Sequence, residues 1–124
     1  MSTILIVEDD EKNMKLARDV LKARGYAILE AVTGEDGVRL AIEKKPDLVL
    51  MDIQLPGING IEALRQVRAE PACASIPIVA FTASVMQADR SQISEAGFDD
   101  FIGKPINLKE FLDTVQRRLE AGRA

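Results

Sequence analysis

Ile4-Leu5-Ile6-Val7-Glu8-Asp9-Asp10 sets four apolar residues in an unbroken row directly before three carboxylates. Leu48-Val49-Leu50-Met51-Asp52 repeats the arrangement, and Ile78-Val79-Ala80-Phe81-Thr82 ends a third run on a hydroxyl. Phe101-Ile102-Gly103-Lys104-Pro105 closes a fourth on an ammonium. A strand covered on one face alternates apolar and polar residues, whereas a strand apolar at successive positions is covered on both. Rows of this kind belong to a parallel sheet with helices on its two sides.

Helical spacing fills the intervals. A helix is expected from about Asp10 to Ala23, with Met14, Ala17, Val20 and Leu21 on one face and Gly25 as its left-handed stop. Ala27–Val32 reads as a further strand. Thr33 is a candidate N-cap for a helix reaching about Lys44, before Pro46. Asp47–Met51 and Pro77–Phe81 are expected strands, and Gly60 opens a helix with Ile61, Leu64 and Val67 on one side. Pro71–Ser75 reads as a linker, Met86–Ala96 as a helix with sparse apolar periodicity, and Asp100–Ile102 as a last strand. The final helix, about Asn107 to Leu119, carries a stripe of Leu108, Phe111, Leu112, Val115 and Leu119. Five strands alternating with five helices, joined by right-handed crossovers, give a flavodoxin-like doubly wound (βα)5 sheet of order 2-1-3-4-5. Its ligand crevice lies at the carboxyl ends of strands one and three, where the acidic positions fall.

Composition narrows the function. The chain has 124 residues, 47% apolar and 29% charged, which suits one domain with a two-sided core. A net charge of −4 provides no basic stripe for nucleic acid. No apolar run approaches the roughly 18 residues of a membrane span. The single cysteine, Cys73, has no internal disulfide partner, so the cytoplasm is the expected compartment; it reads as structurally incidental. Histidine is absent, which removes His-ligated metals, His-based acid–base catalysis and a phosphodonor histidine.

Asp9, Asp10 and Asp52 are expected to converge at the sheet edge. Two like charges about 4 Å apart repel by roughly 1 kcal/mol in water and about 4 kcal/mol at a protein-surface dielectric. A hard divalent cation relieves that repulsion, and Mg²⁺ suits few carboxylates because it retains waters and takes phosphate oxygens as ligands. Beside it, Asp52 can serve as a nucleophile that forms an acyl phosphate, Lys104 as a point charge for the phosphate, and Thr82 as a hydroxyl donor. Taken singly, each residue has a plainer reading: Glu8 a solvated turn residue before a helix, Asp52 a loop cap, Thr82 a turn residue, Phe101 core, Lys104 surface. Tyr26 reads as packing, and Arg117, Arg118 and Arg123 as a solvated helix end. A nucleotide-binding module needs a glycine-rich loop where Glu8-Asp9-Asp10-Glu11 stands. An enzyme using Asp52 on small phosphate esters needs an acid–base residue two positions on, where Gln54 stands.

The ordered set, together with Gln54-Leu55-Pro56-Gly57, Gly60 and Ala80-Phe81-Thr82-Ala83, resembles the receiver domain of two-component response regulators over essentially the whole chain. The segment Glu8–Leu16 is similar to stand-alone receivers, including the alpha-proteobacterial cell-cycle type. The resemblance implies one receiver domain over residues 1–124 without an output domain, in a phosphorelay or simpler two-component system. Asp52 then accepts a phosphoryl group from a sensor histidine kinase or histidine phosphotransfer protein. Asp9, Asp10, Asp52 and the backbone carbonyl of Gln54 bind Mg²⁺, Lys104 contacts the phosphate, and the Lys104–Pro105 peptide is cis. Thr82 and Phe101 form the switch, while Gln54 and Ser84 tune the acyl-phosphate lifetime. The protein assists its own phosphorylation and dephosphorylation without turning over an external substrate. It signals to a downstream protein through the face of helix four, strand five and helix five, as a monomer or phosphorylation-dependent dimer. A degenerate receiver that docks without phosphate is the alternative.

Overall fold

β1 (Thr3–Val7), β2 (Ala27–Ala31), β3 (Leu48–Met51), β4 (Ile78–Thr82) and β5 (Asp100–Gly103) form one parallel sheet in the order β2-β1-β3-β4-β5. This is the arrangement in a computed structural model of the chain, which describes residues 2–82 and 87–121. β1 lies inside the sheet and pairs on both edges: Ile4 lies beside Ile28 and Leu48, and Val7 beside Ala31 and Met51. Among the described residues, α1 (Glu11–Ala23), α2 (Gly34–Lys44), α3 (Gly60–Arg68) and α4 (Gln87–Ala96) lie between successive strands, and α5 (Leu108–Ala121) follows β5.

Strand alternation divides the apolar residues between two cores. Leu5, Val7, Val49, Met51, Ile78 and Ala80 face α2, α3 and α4, where Val38, Ala41, Leu64, Val67 and Ile93 meet them. Ile4, Ile6, Leu48, Leu50, Val79, Phe81 and Ile102 face α1 and α5, meeting Met14, Ala17, Leu21, Phe111 and Val115. All four residues of β3 and all five of β4 are buried, which is why their sequence shows no alternation. On the second face the rings of Phe81 and Phe111 pack with centroids 6.1 Å apart.

Local signals mark the helix ends. Thr33 Oγ1 accepts the Asp36 N–H and caps α2, and Asn59 Oδ1 accepts the Glu62 N–H and caps α3. Gly25 follows α1 at φ +89°, a conformation glycine adopts without steric penalty. Other boundaries differ from expectation. Asp10 stands outside α1 as its cap, β2 stops at Ala31, and Val32 and Leu108 are exposed. The expected linker holds a 3-10 turn at Pro71–Cys73, since Glu70 accepts the Ala72 N–H and Pro71 occupies its first position. Cys73 is a core residue, fully buried with Sγ 3.6 Å from the Ala41 carbonyl oxygen, and burial pushes its thiol above the ordinary range. Arg68 fastens the opposite edge of the sheet. Its guanidinium donates to the carbonyls of Cys73 and Ile76 and to Asp99 Oδ2, which also accepts the Ile78 N–H. Arg117 and Arg118 both reach Asp100 Oδ2, so this helix end is tied to β5. Arg123 and Met86 lie outside the described residues.

Candidate functional site

The alternation that builds the second core also builds the site. Glu8 falls two residues after Ile6, Asp52 two after Leu50, and Lys104 two after Ile102, so all three continue the face toward α1 and α5. The backbone stays in the sheet long enough to hold them there: the Glu8 N–H donates to the Ala31 carbonyl at 2.9 Å, and the Asp52 N–H to the Val7 carbonyl at 2.9 Å. Lys104 N–H donates to the Thr82 carbonyl at 2.8 Å, and the Lys104–Pro105 peptide is cis.

Glu8 is fully buried and ion-paired with Lys104; Asp52 is 5% exposed, with Oδ2 3.2 Å from Lys104 Nζ. The ammonium also sits 4.7 Å from the centre of the Phe81 ring, a favourable position for a desolvated cation. Asp52 Oδ1 accepts the Gln54 N–H at 3.0 Å. Carboxylate oxygens of Glu8, Asp9 and Asp52 all lie within 4.8 Å of one another, with Asp9 exposed at the mouth. Burial pushes the Glu8 carboxyl up to about 7, and the nearby Asp52 adds to the rise against the opposing hydrogen bond from Lys104.

Asp10 is not part of this group. Its carboxylate turns to the start of α1, where Oδ1 accepts the Lys12 and Asn13 N–H groups at 2.9 and 3.0 Å. The Asn13 hydrogen bond above all holds it below the usual carboxylate range. The acidic residue that joins Asp9 and Asp52 is Glu8, expected to be a solvated turn residue. The signal for it was present in the sequence: two residues past Ile6 on a strand covered on both faces, an acidic side chain enters the interior and needs a partner.

Thr82 ends β4 and is buried. Phe101, beside Ala80 in the β4–β5 register, is partly buried against the core under α3 and α4. Gln54 is exposed, one turn of loop from Asp52, and Ser84 lies outside the described residues.

Three hard oxygen donors gathered at one point fit a divalent cation such as Mg²⁺, and softer metals are not favoured by such a set. The geometry also fits phosphoryl chemistry: a nucleophilic carboxylate, a flanking ammonium and a cation-binding cluster at the carboxyl edge of a doubly wound sheet. The profile described as response regulator receiver domain matches residues 4–116. The chain belongs to the response regulator receiver domain family. It is 39% identical over 117 residues to the polar-differentiation response regulator DivK of Brucella anthropi, covering 94% of this chain and 95% of that one. The receiver domain of a sensor histidine kinase from Pseudomonas aeruginosa is 34% identical, with a TM-score of 0.89 over 96% of this chain and 98% of its own. That structure has a magnesium ion coordinated in its active-site cleft. A LuxR-family two-component response regulator from Aurantimonas superposes with a TM-score of 0.89 at 31% identity, over 100% of this chain and 89% of its own. This receiver therefore takes part in two-component signalling. Among its described residues no helix is long and apolar enough to cross a membrane.

Proposed function

We propose that this receiver is a phosphorylation switch in which Asp52 takes a phosphoryl group from a phosphohistidine of a sensor kinase or histidine phosphotransfer protein. One observation carries the reading: a nearly buried carboxylate with one oxygen held by the Gln54 N–H and the other facing Lys104, beside two further carboxylates. An Asp52 oxygen forms the new P–O bond as the P–N bond of the phosphohistidine breaks, and the imidazole nitrogen keeps the electron pair. The product is an acyl phosphate at the end of β3.

Each residue has a part in that step. Gln54 fixes the rotamer of the nucleophile. Lys104, released from Asp52 as its charge moves onto the phosphate, pairs with phosphoryl oxygens. Asp9, Asp52 and the Gln54 carbonyl, with Glu8 behind them, would hold Mg²⁺, which when bound offsets charge on the transferring phosphoryl group. Asp10 shapes the site only by starting α1.

The acyl phosphate adds charge and strong acceptor oxygens beside Thr82, whose hydroxyl turns toward them, and the Phe101 ring repacks. The surface of α4, β5 and α5 then changes its affinity for a downstream protein or for a second copy of the chain. Gln54 and Ser84 set how readily water reaches the phosphate, and a cytoplasmic single-domain receiver is the form this reading assumes. Intact mass after incubation with acetyl phosphate tests it. A phosphoryl-sized gain that requires Mg²⁺ and disappears in Asp52→Asn supports the switch. A gain that persists in Asp52→Asn contradicts it, and the absence of both a gain and beryllofluoride binding leaves only a phosphate-independent docking module.

A further inference from the structure

Gly60, the first residue of α3, is buried, and its backbone lies outside the left-handed region, so its dihedral angles alone do not demand glycine. Its surroundings do. A methyl group on Gly60 would collide with the carbonyl oxygen of Asp52 and lie 2.7 Å from the Ile53 Cα and 3.0 Å from the Asp52 carbonyl carbon. All three are backbone atoms, so no side chain can rotate away to make room. The Gly60 N–H donates to the Ile53 carbonyl at 2.9 Å, which holds the start of the helix against the same stretch of chain.

The loop is gripped from its other side as well. A methyl on Gly34, the first residue of α2, would stand 2.6 Å from both the carbonyl oxygen and Cγ1 of Ile58. The chain between Asp52 and Gly60 thus runs between the first turns of two helices, with Leu55 buried beneath it. Its Asp52 end is anchored to β1 through the Val7 carbonyl, and the Gln54 N–H within it orients the Asp52 carboxylate.

We propose that Gly60 is a positioning residue for Asp52: the first turn of α3, lying directly against the Asp52 peptide, sets the direction of the phosphoacceptor carboxylate and of the adjoining Gln54 peptide. The proposal rests on Asp52 being the phosphoacceptor. Gly60 touches neither phosphate nor cation; it acts through the peptide it abuts. A methyl there must push the loop or the helix outward, and displacements near 1 Å at a reacting group cost about a hundredfold in rate.

Gly60→Ala is compared with Val67→Ala, a fully buried position on the same helix away from the loop, which lowers stability without touching Asp52. Both are assayed below their unfolding transitions, by calorimetric Mg²⁺ titration and by initial rates of phosphorylation across acetyl phosphate and Mg²⁺ concentrations. In Gly60→Ala the maximal rate at saturating Mg²⁺ is expected to fall about tenfold to a hundredfold, and Mg²⁺ binding to weaken, while Val67→Ala keeps wild-type values. A Gly60→Ala protein within about twofold of wild type in both measurements overturns the proposal. If Gly60→Ala does not fold, Asn59→Ala decides: Asn59 is exposed and caps α3, so its loss loosens the turn without a clash. A several-fold slower rate at saturating Mg²⁺ supports the proposal, and an unchanged rate overturns it. Wild type that neither takes the phosphoryl group nor binds Mg²⁺ removes the phosphoacceptor reading itself; an active wild type with an unaltered variant removes only the role of Gly60.

Discussion

Lys104 Nζ lies 3.2 Å from Asp52 Oδ2, although 52 residues separate the two and β4 runs between the strands that carry them. The same ammonium pairs with the fully buried Glu8, so one cation serves two desolvated carboxylates. Removing one partner of a buried pair costs about 3–5 kcal/mol, because the other charge is left without compensation. Lys104→Met is therefore expected to lower the urea stability of the metal-free protein at pH 7.5 by about 2–4 kcal/mol, discounted for relief through proton uptake. At pH 5, with Glu8 protonated, the loss should shrink. Equal losses at the two pH values would contradict this distribution of charge.

Glu8 supplies a second pH signature. Its carboxyl is raised from 4.5 to about 7, chiefly by burial, so between those values the folded protein holds a proton that the unfolded chain has released. Stability from this group is present below pH 4.5 and is lost as the pH rises through about 7. The metal-free protein should lose on the order of 1–3 kcal/mol between pH 5 and pH 8 through this group. Glu8→Gln should flatten that slope, as read from urea midpoints across the range.

Asp9 and Asp10 are neighbours with separate duties, and substitution should divide them. Asp10→Ala removes the α1 cap, which typically lowers stability by about 0.5–2 kcal/mol, and should leave Mg²⁺ affinity close to wild type. Asp9→Asn should keep its unfolding midpoint, or raise it through reduced repulsion, while Mg²⁺ binding weakens at least about tenfold. Calorimetric titration with Mg²⁺ alone distinguishes them; a loss of affinity in Asp10→Ala matching that in Asp9→Asn would restore Asp10 to the cation site.

Much of this arrangement is legible in the sequence. The rows Ile4–Val7, Leu48–Met51 and Ile78–Phe81 are covered on both faces, and only a parallel sheet between helix layers does that. Asp52 follows from the second of these rows and Lys104 from the shorter run Phe101–Gly103, because strand ends at one edge of a parallel sheet are neighbours in space. The pair drawn from Glu8-Asp9-Asp10 was not legible in the same way. Three consecutive carboxylates look alike in sequence, and which two reach the crevice depends on where extended backbone gives way to the cap of α1. That turn falls at Asp10, whose oxygen is taken by the Lys12 and Asn13 N–H groups. Leu108 misleads for a related reason: it fits the stripe of α5 yet is the first residue of the helix, beyond the reach of the sheet.

Phe101 provides a test of the switch apart from the chemistry. Its ring is partly buried on the face opposite to Glu8, Asp52 and Lys104, and it makes no part of the acidic cluster. Phe101→Ala should bind beryllofluoride and Mg²⁺ nearly as wild type does. What it should lose is the response: hydrogen exchange across β5 and α5 changes on beryllofluoride binding in wild type and stays flat in the variant. A variant that responds like wild type would remove the ring from the account.

The proposed switch depends on Asp52 as the carrier of the phosphoryl group. Borohydride reduction of the acetyl phosphate-treated protein, followed by peptide mass mapping, tests it most directly, since an acyl phosphate is reduced to an alcohol and an unmodified carboxylate is not. Homoserine is expected at position 52, formed only when Mg²⁺ was present, with Glu8, Asp9 and Asp10 unchanged. Reduction at one of those three residues, with Asp52 intact, would contradict it.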